Sequence, residues 1–272
     1  MNAPASRFWS RLTTRDFAAL DAATTVAVLP LGATEQHGPH LPLCVDSTLA
    51  DGIIETALPL LPPDLPVLFL PTQQIGLSPE HAHFPGTLTL SSETLIRLWS
   101  EIGASVARAG IRKLVLFNAH GGHVGAMDIV ARELRVAHDL IVYSVSWFNL
   151  PLGEAGAQFS ADEHRFGIHA GDMETSMMLA LAPDDVAMEA ARDFDSTSRG
   201  RARDYPILGN GKSAKLGWAM EDYNSAGAAG NAAAATADKG HALVDTAAKQ
   251  LAMLLAEVSR LPLATIGNAP SR

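Results

Sequence analysis

The chain has 272 residues and a formal net charge of −9, with 47% hydrophobic and 18% charged residues. This length can bury a large core, and the composition is that of an ordinary globular protein. The negative charge argues against a nucleic-acid partner, because phosphates bind basic surfaces. The single cysteine excludes an intrachain disulfide framework and fits a reducing compartment.

The N-terminal stretch, Met1 to Asp16, contains charges and no continuous apolar segment, so we expect no signal peptide. No part of the chain approaches the roughly 20 consecutive apolar residues that a membrane helix needs. These features predict a cytoplasmic protein without a membrane partner.

Apolar, β-branched runs alternate with helical patterns over the first half of the chain. The predicted strands are Thr25–Leu31, Val67–Leu70, Lys113–Phe117 and Leu140–Val145. The predicted helices between them are Ser47–Leu58, Ser92–Ala109 and His123–His138. Strands that alternate with helices indicate βαβ units, so we expect an α/β fold whose mostly parallel sheet is covered on both faces.

The second half of the chain is less regular. We predict a long loop over Leu152–Gly167, a helix over Gly171–Leu181 and a functional or interface loop over Asp193–Gly230. An Ala-rich helix is expected over Asn231–Val258, followed by a frayed tail from Pro262. Because there is neither an internal repeat nor a Pro/Ser linker, residues 1–272 are interpreted as a single domain.

The most informative segment follows the first predicted strand. Within a dozen residues it contains Glu35, His37, His40 and Asp46. Acidic and imidazole side chains next to a core strand are expensive to desolvate unless they are paired or bound to a cation. The carboxyl end of a strand is also where α/β sheets place their binding sites. The segment therefore indicates a metal site.

Three further clusters also come just after predicted strands. They are Ser78-Pro79-Glu80-His81-Ala82-His83-Phe84-Pro85-Gly86-Thr87, Asn118-Ala119-His120-Gly121-Gly122-His123, and His169-Ala170-Gly171-Asp172-Met173-Glu174-Thr175-Ser176. The carboxyl ends of parallel strands share one edge of a sheet, so these distant segments can converge on one crevice. Nine of the ten histidines lie between His37 and His169, which surface decoration does not explain.

Imidazole and carboxylate ligands suit zinc, manganese or ferrous iron. A single zinc ion needs about three protein ligands and a water, and the candidates outnumber that. A two-metal site in which Asp46 bridges the ions would use the surplus. A hydroxide bound to the metals is a nucleophile at neutral pH, so the expected chemistry is hydrolysis, with one histidine left to move protons.

These motifs resemble those of the creatininase (creatinine amidohydrolase) family. The matching segments are Leu31-Gly32-Ala33-Thr34-Glu35-Gln36-His37-Gly38-Pro39-His40-Leu41-Pro42 with Asp46, Glu80-His81 through Phe84-Pro85-Gly86-Thr87, Asn118-Ala119-His120-Gly121-Gly122, His169-Ala170-Gly171 with Glu174-Thr175-Ser176, and Ala235-Thr236-Ala237-Asp238-Lys239-Gly240. They occur in order from about Leu29 to Gly240. The first is long and specific, and the last is weak alone.

The resemblance implies a three-layer α/β/α fold, a homo-oligomer that is often a hexamer, and two divalent ions, with zinc as the first choice and manganese or iron as alternatives. It also implies hydrolysis of C–N bonds in a small-molecule substrate, mostly a cyclic or formyl amide. By position, Glu35, His37, Asp46 and His120 match the family's metal ligands, with Asp46 as the bridge. His169 matches the histidine proposed for proton transfer.

One departure concerns the residue two positions after His120. Family members that hydrolyse creatinine have a glutamate there, and this chain has Gly122. The change puts creatinine in doubt as the substrate and leaves one ligand to be replaced, for which Glu174 is the candidate. Other branches also have Gly-Gly here, commonly followed by Asn, where this chain has His123 as an extra ligand or substrate contact.

Plainer readings exist for most of these residues. The first cluster could be a hydrogen-bonded network without metal, and Glu174 could be an acid favoured at a helix N-terminus. His40 is interpreted as orienting a ligand, and His81 and His83 as lining the pocket or ordering their loop. His123 could equally begin a helix. Two alternative functions stay open, namely ring hydrolysis of a cyclic keto-sugar or lactone, and metal binding without catalysis.

Overall fold

The computed structural model describes residues 5–267, so the first four and last five residues lie outside the description, including the end of the predicted frayed tail. The strands are β1 (Val26–Leu31), β2 (Val67–Phe69), β3 (Lys113–Asn118), β4 (Ile141–Ser146), β5 (Asp193–Phe194) and β6 (Gly230–Asn231). The α-helices are α1 (Thr14–Ala18), α2 (Val45–Ala57), α3 (Ser92–Arg108), α4 (Val124–His138), α5 (Gly153–Gly156), α6 (Ala161–Phe166), α7 (Asp172–Leu181), α8 (Ser198–Asp204) and α9 (Ala237–Arg260).

The four predicted strands form one parallel sheet in the order β2-β1-β3-β4. All six residues of β1 and of β3 are buried, as expected for central strands covered on both faces. Successive side chains of a strand point to opposite faces, and Val28 and Leu29 illustrate this, since they belong to two separate apolar clusters. The predicted α/β architecture is confirmed.

Different helices cover the two faces. The cluster that contains Val28 includes buried residues of α2, α7 and α9, and the cluster that contains Leu29 includes those of α3 and α4. Helix α3 begins as predicted, because the hydroxyl of Ser91 accepts a hydrogen bond from the backbone N–H of Thr94 at 3.2 Å. The site-bearing segments lie at the carboxyl ends of β1 and β3, between these layers.

Helix α7 is held tightly against α9. Both carboxylate oxygens of Asp172 accept hydrogen bonds from Nζ of Lys239, each at 2.6 Å, and both side chains are largely buried. A Cβ atom at Gly240 would overlap the backbone carbonyl oxygen of Ser176, so only glycine allows the two helices to come this close. The segment Asp238-Lys239-Gly240 thus fixes the helix that carries Glu174.

Three predicted segments differ from the structure. The predicted loop over Asp193–Gly230 contains β5, α8 and the first residue of β6. Leu152–Gly167 was expected to be irregular, but it contains α5 and α6, and the latter is capped by the Ser160 hydroxyl, which accepts the N–H of Glu163 at 3.0 Å. The Ala-rich helix starts at Ala237 instead of Asn231, because Thr236 caps it there. Residues 262–267 of the predicted frayed tail include a short 3-10 turn, Leu263–Thr265. Among the described helices, none combines the length and apolar character needed to cross a bilayer.

Candidate metal centre

The four sequence clusters converge on one cavity of about 440 Å³ at the carboxyl edge of the sheet. Its polar floor includes Glu35, Asp46, Glu80, His81, His120, His169 and Glu174. Glu35 follows β1, Asp46 lies in the first turn of α2, and His120 follows β3. The structure therefore brings together all the predicted metal-ligating segments.

The first group of ligand atoms surrounds His120. Its Nδ1 lies 3.2 Å from Oε1 of Glu35 and 3.3 Å from Oδ2 of Asp46. Two ligands at 2.0–2.1 Å from one tetrahedral ion are about 3.3 Å apart, so these three atoms have the spacing of a shared coordination sphere. All three residues are buried.

The second group shares Asp46. Its other oxygen, Oδ1, lies 3.6 Å from Nε2 of His37. His37, Asp46 and Glu174 also form a group whose ligand atoms lie within 4.8 Å of one another. The two oxygens of Asp46 thus face different imidazoles, which is the arrangement required of a bridging carboxylate.

Several of these buried atoms have no hydrogen-bond partner among the described residues. They are both carboxylate oxygens of Glu35, Nε2 of His37 and Oδ2 of Asp46. An unpaired buried charge costs several kcal/mol, on the order of 3–5 kcal/mol when a partner is missing. A divalent cation is the natural partner for such a set, so the residues present fit a metal centre.

The electrostatics of the cluster point the same way. Burial disfavours the charged form of His37, but the carboxylates of Asp46, Glu174 and Glu35 together outweigh burial and raise the pKa of His37 to about 9. Burial raises the pKa of Glu174 to about 7, with Asp46 adding to the effect against the opposing charge of His37. Strongly perturbed groups that face one another in a cleft are typical of functional sites. A bound cation would displace the protons that these pKa values describe.

His37 is oriented for ligation by its other ring nitrogen. Nδ1–H donates to the backbone carbonyl of Glu35 at 3.1 Å, which leaves Nε2 facing Asp46. Helix α7 supplies Glu174, whose Oε2 accepts the backbone N–H of Ala170 at 2.6 Å. That bond agrees with the simpler interpretation of Glu174 as an acid at the start of a helix. Oε2 makes the bond to the turn before α7, and the carboxylate still belongs to the ligand group of His37 and Asp46.

His169 approaches the same carboxylate oxygen of Glu35 as His120 does. Its Nε2–H donates to the backbone carbonyl of Gln36 at 2.7 Å, and its Nδ1 lies 3.8 Å from Oε1 of Glu35. Burial, followed by the neighbouring His37 and His81, keeps the pKa of His169 well below its usual value. A neutral ring with a free Nδ1 directed at the carboxylates can accept a proton and then release it.

The two predicted substrate contacts have different surroundings. His81 lines the cavity, stacks on His169 with ring centroids 4.2 Å apart, and accepts a hydrogen bond from the side-chain amide of Gln36 at 2.7 Å. His123 does not line the cavity: its Nε2 accepts the N–H of Leu77 at 3.1 Å and its Nδ1–H donates to Asn118 at 3.0 Å. With both nitrogens engaged, His123 orders the turn after β3, which favours the structural reading.

His40 and His83 both stay outside the floor of the cavity. His40 contacts the hydroxyl of Thr175 at 2.9 Å, beside Glu174, in keeping with a supporting role. His83 is exposed and pairs with Glu221. These contacts agree with the view that neither is a ligand.

The sequence analysis assigned no role to several cavity residues. Glu80 approaches His120, with Oε1 of the carboxylate 3.5 Å from Nε2 of the ring. The apolar walls consist of Trp147, Phe148, Leu152, Ile168, Met173 and Trp218. Glu80 belongs to one of the segments that match the family motifs, so the sequence could have indicated it as a site residue. Met173 lies in α7, and the other wall residues lie in loops and short turns whose positions no periodic sequence pattern predicts.

The chain is similar in sequence to a known protein family and to several curated proteins. A model of the family described as creatininase, creatinine amidohydrolase, matches residues 10–255. Among curated proteins, it is 38% identical over 173 residues to a mycofactocin precursor peptide peptidase of Mycobacterium tuberculosis, covering 61% of this chain and 62% of that relative. It is 34% identical over 203 residues to a creatinine amidohydrolase of Pseudomonas putida, covering 69% of this chain and 76% of the relative. The match thus spans less than two thirds of the mycobacterial protein.

The chain is also similar in fold to solved structures of creatininases. A creatininase variant described as a Zn-Zn type superimposes with a TM-score of 0.73 at 28% identity, covering 93% of this chain and 98% of that one. A structure described as a manganese creatininase gives a TM-score of 0.73 at 27% identity, over the same shares of the two chains. Together with the buried ligand groups, these similarities support a site for divalent metal ions.

Proposed function

The chain belongs to the creatininase family of hydrolases, and we propose that it hydrolyses the C–N bond of a cyclic amide, a formamide or a related small amide at a centre of two divalent ions. The observation that carries this proposal is the carboxylate of Asp46, whose two oxygens face His37 and His120 separately. We propose zinc as the metal, with manganese or iron as alternatives.

In this proposal, Glu35, Asp46 and His120 hold one ion, and His37, Asp46 and Glu174 hold the other. Divalent ions supply a polarised substrate carbonyl and an activated water at neutral pH. The chain's own residues position these groups: His37 is fixed through the carbonyl of Glu35, and Glu174 through the N–H of Ala170.

We assign His169 to proton transfer. The Gln36 carbonyl holds the ring with Nε2 protonated, so Nδ1 is the atom that can take a proton from the nucleophile and pass it to the leaving nitrogen. Its lowered pKa suits this role, since a ring that is neutral at rest becomes a strong acid once protonated.

A second substrate class is a short peptide. The relatives named as peptide peptidases share 33–38% identity with this chain. The cavity also fits, because its volume of about 440 Å³ and the aromatic side chains of Trp147 and Trp218 can take more than one small ring. The predicted hexamer, the cytoplasmic location and the single-domain organisation stay predictions.

The proposal is tested by metal analysis and a substrate panel. Purified wild type reconstituted with zinc or manganese is expected to hold two equivalents of metal, and Asp46→Ala fewer than one equivalent. The control Glu55→Ala, at an exposed position of α2, should hold as much metal as wild type. Lactams, formamides, cyclic keto-sugars and short peptides are then compared, and release of amine or formate supports the amide reading. Less than one equivalent of metal in wild type would refute the mechanism, and turnover of keto-sugars alone would refute the bond class.

A further inference from the structure

Glu80 is an acidic side chain at the metal centre to which neither the motif analysis nor the proposed function gives a role. It lies in a short 3-10 turn, Pro79–His81, in the loop that follows β2. Its side chain is 11% exposed and lines the cavity. A carboxylate that is largely buried and close to a ligand histidine calls for a function.

The ring of His120 has two differently occupied sides. Nδ1 faces the carboxylates of Glu35 and Asp46 at 3.2 and 3.3 Å. Nε2 faces the backbone carbonyl of Leu77 at 3.0 Å, the hydroxyl of Ser78 at 3.4 Å and Oε1 of Glu80 at 3.5 Å. A carbonyl oxygen can only accept, so Nε2 carries the proton and Nδ1 is the atom left for an ion. Metal-bound histidines commonly donate their other N–H to a carboxylate or a carbonyl, which fixes the ring and raises its basicity.

Gly122 explains how the segment from Leu77 to Glu80 reaches the ring. A Cβ atom at this position would overlap Oε1 of Glu80 and Nε2 of His120, and would stand 2.7 Å from the carbonyl oxygen of Leu77. Its φ angle lies outside the left-handed region, so the requirement for glycine is one of space. A side chain at residue 122 would therefore collide with the carboxylate of Glu80, the ring of His120 and the Leu77 carbonyl as they are arranged here.

From this geometry we infer that Glu80 is a positioning residue of the metal centre. Its carboxylate faces the Nε2–H of His120 beside the Leu77 carbonyl and helps to hold the ring with Nδ1 directed at the first ion. The inference rests on the proposed two-ion centre and adds to it a residue outside its ligand set. Gly122 is the structural condition for this arrangement, since its missing side chain leaves room for the carboxylate.

The test measures ion affinity, which does not depend on knowing the substrate. Wild type, Glu80→Ala, Glu80→Gln and the exposed control Glu154→Gln are loaded with Zn²⁺ against a chromogenic chelator, and with Co²⁺ for its visible absorption spectrum. For Glu80→Ala we expect the affinity of one ion to fall about 10–100-fold while two ions still bind at saturation. Glu80→Gln keeps an acceptor oxygen and should retain affinity within about threefold. The Co²⁺ spectrum of the alanine variant should change for that one ion.

Three outcomes would overturn the inference. They are an unchanged affinity in Glu80→Ala, a weakening of both ions alike, and the loss of one ion at saturation in both the alanine and glutamine variants, which would make Glu80 a direct ligand. If wild type itself binds no metal, the proposed function fails; if wild type binds two ions and Glu80→Ala equals it, only the inference on Glu80 fails.

Discussion

Lys239 on α9 places its ammonium 2.6 Å from each carboxylate oxygen of Asp172, the first residue of α7. Asp172 precedes the proposed ligand Glu174 by two residues, so this ion pair ties the C-terminal helix to the metal centre. The Ala-rich helix α9 contributes buried residues to the same apolar cluster as α7. The contact shows that its first turn also fixes the part of α7 that faces the site.

Replacing Lys239 by methionine should lower the free energy of unfolding by about 2–3 kcal/mol, because the Asp172 carboxylate is left buried without its partner. The estimate lies at the low end for buried pairs, since the lysine side chain is 16% exposed. Urea unfolding checks it, with Lys249→Met, exposed on the same helix, as the control. Equal stability of the two variants would contradict the prediction.

Gly240→Ala should destabilise the protein by about 1–3 kcal/mol, because the added methyl group overlaps the Ser176 carbonyl and forces α9 away from α7. The matched control is Gly125→Ala in α4, where a Cβ meets nothing within 4 Å. There the higher helix propensity of alanine should stabilise the protein by about 0.5–1 kcal/mol. Thermal or urea unfolding of both variants gives the comparison, and changes of the same sign would refute the packing argument.

Removal of metal should lower the melting temperature, since a ligand that binds only the folded state stabilises it by mass action. Differential scanning calorimetry before and after chelation, and again after addition of zinc, measures the effect. Asp46→Ala should have the low melting temperature throughout and respond little to zinc. A chelated wild type that melts with the untreated protein would speak against a metal centre in the folded state.

His169→Gln should reduce kcat by about 10²–10⁴-fold on whichever substrate the panel identifies, because the group that moves the proton is lost. Two equivalents of metal should remain, since His169 is outside the proposed ligand set. His164→Gln is the control: His164 lines the same cavity, but its Nε2–H donates to the carbonyl of Gly156. Loss of an ion in His169→Gln would instead make it a ligand, as its proximity to Glu35 and His37 also allows.

Lys113 gives a stability change with pH that is independent of the metal centre. The residue is fully buried, its Nζ donates to the Ser259 carbonyl at 2.6 Å, and burial lowers its pKa from 10.5 against the weaker influence of Asp21. Between the lowered pKa and 10.5 the unfolded chain binds more protons than the folded one, so stability rises with pH in that window. Wild type should therefore gain stability relative to Lys113→Met as urea titrations move from pH 8 towards 10.5. A constant difference would contradict the shift.

The sheet could be predicted from the sequence because each strand is a short apolar run followed by a polar cluster. β1 and β3 are buried on both faces and therefore read as continuous apolar segments. The short helix α6 was missed, although Ser160 and Glu163 carry a capping pattern, since six residues show too little periodicity. The start of α9 was placed too early, because the alanine run indicates helix by propensity while Thr236 sets the boundary by capping.

The convergence of the segments could be predicted from topology, because parallel strands bring their carboxyl ends to one edge of the sheet. The choice of Glu35, His37, Asp46 and His120 within those segments came from the resemblance to the creatininase family. The orientation of single rings could not be foreseen. His123 looked like a site residue, yet it bonds to Leu77 and Asn118 behind the turn. Glu80 reaches His120 only because Gly122 leaves space, and that contact depends on the path of a loop that no local pattern specifies.

The residues that face the two ion positions are spread along the chain from Glu35 to Glu174. All four strands of the parallel sheet precede α7 in the chain, and α7 carries Glu174. In the proposed two-ion centre, the His37 side is therefore complete only once α7 has packed onto a sheet whose strands all come before it.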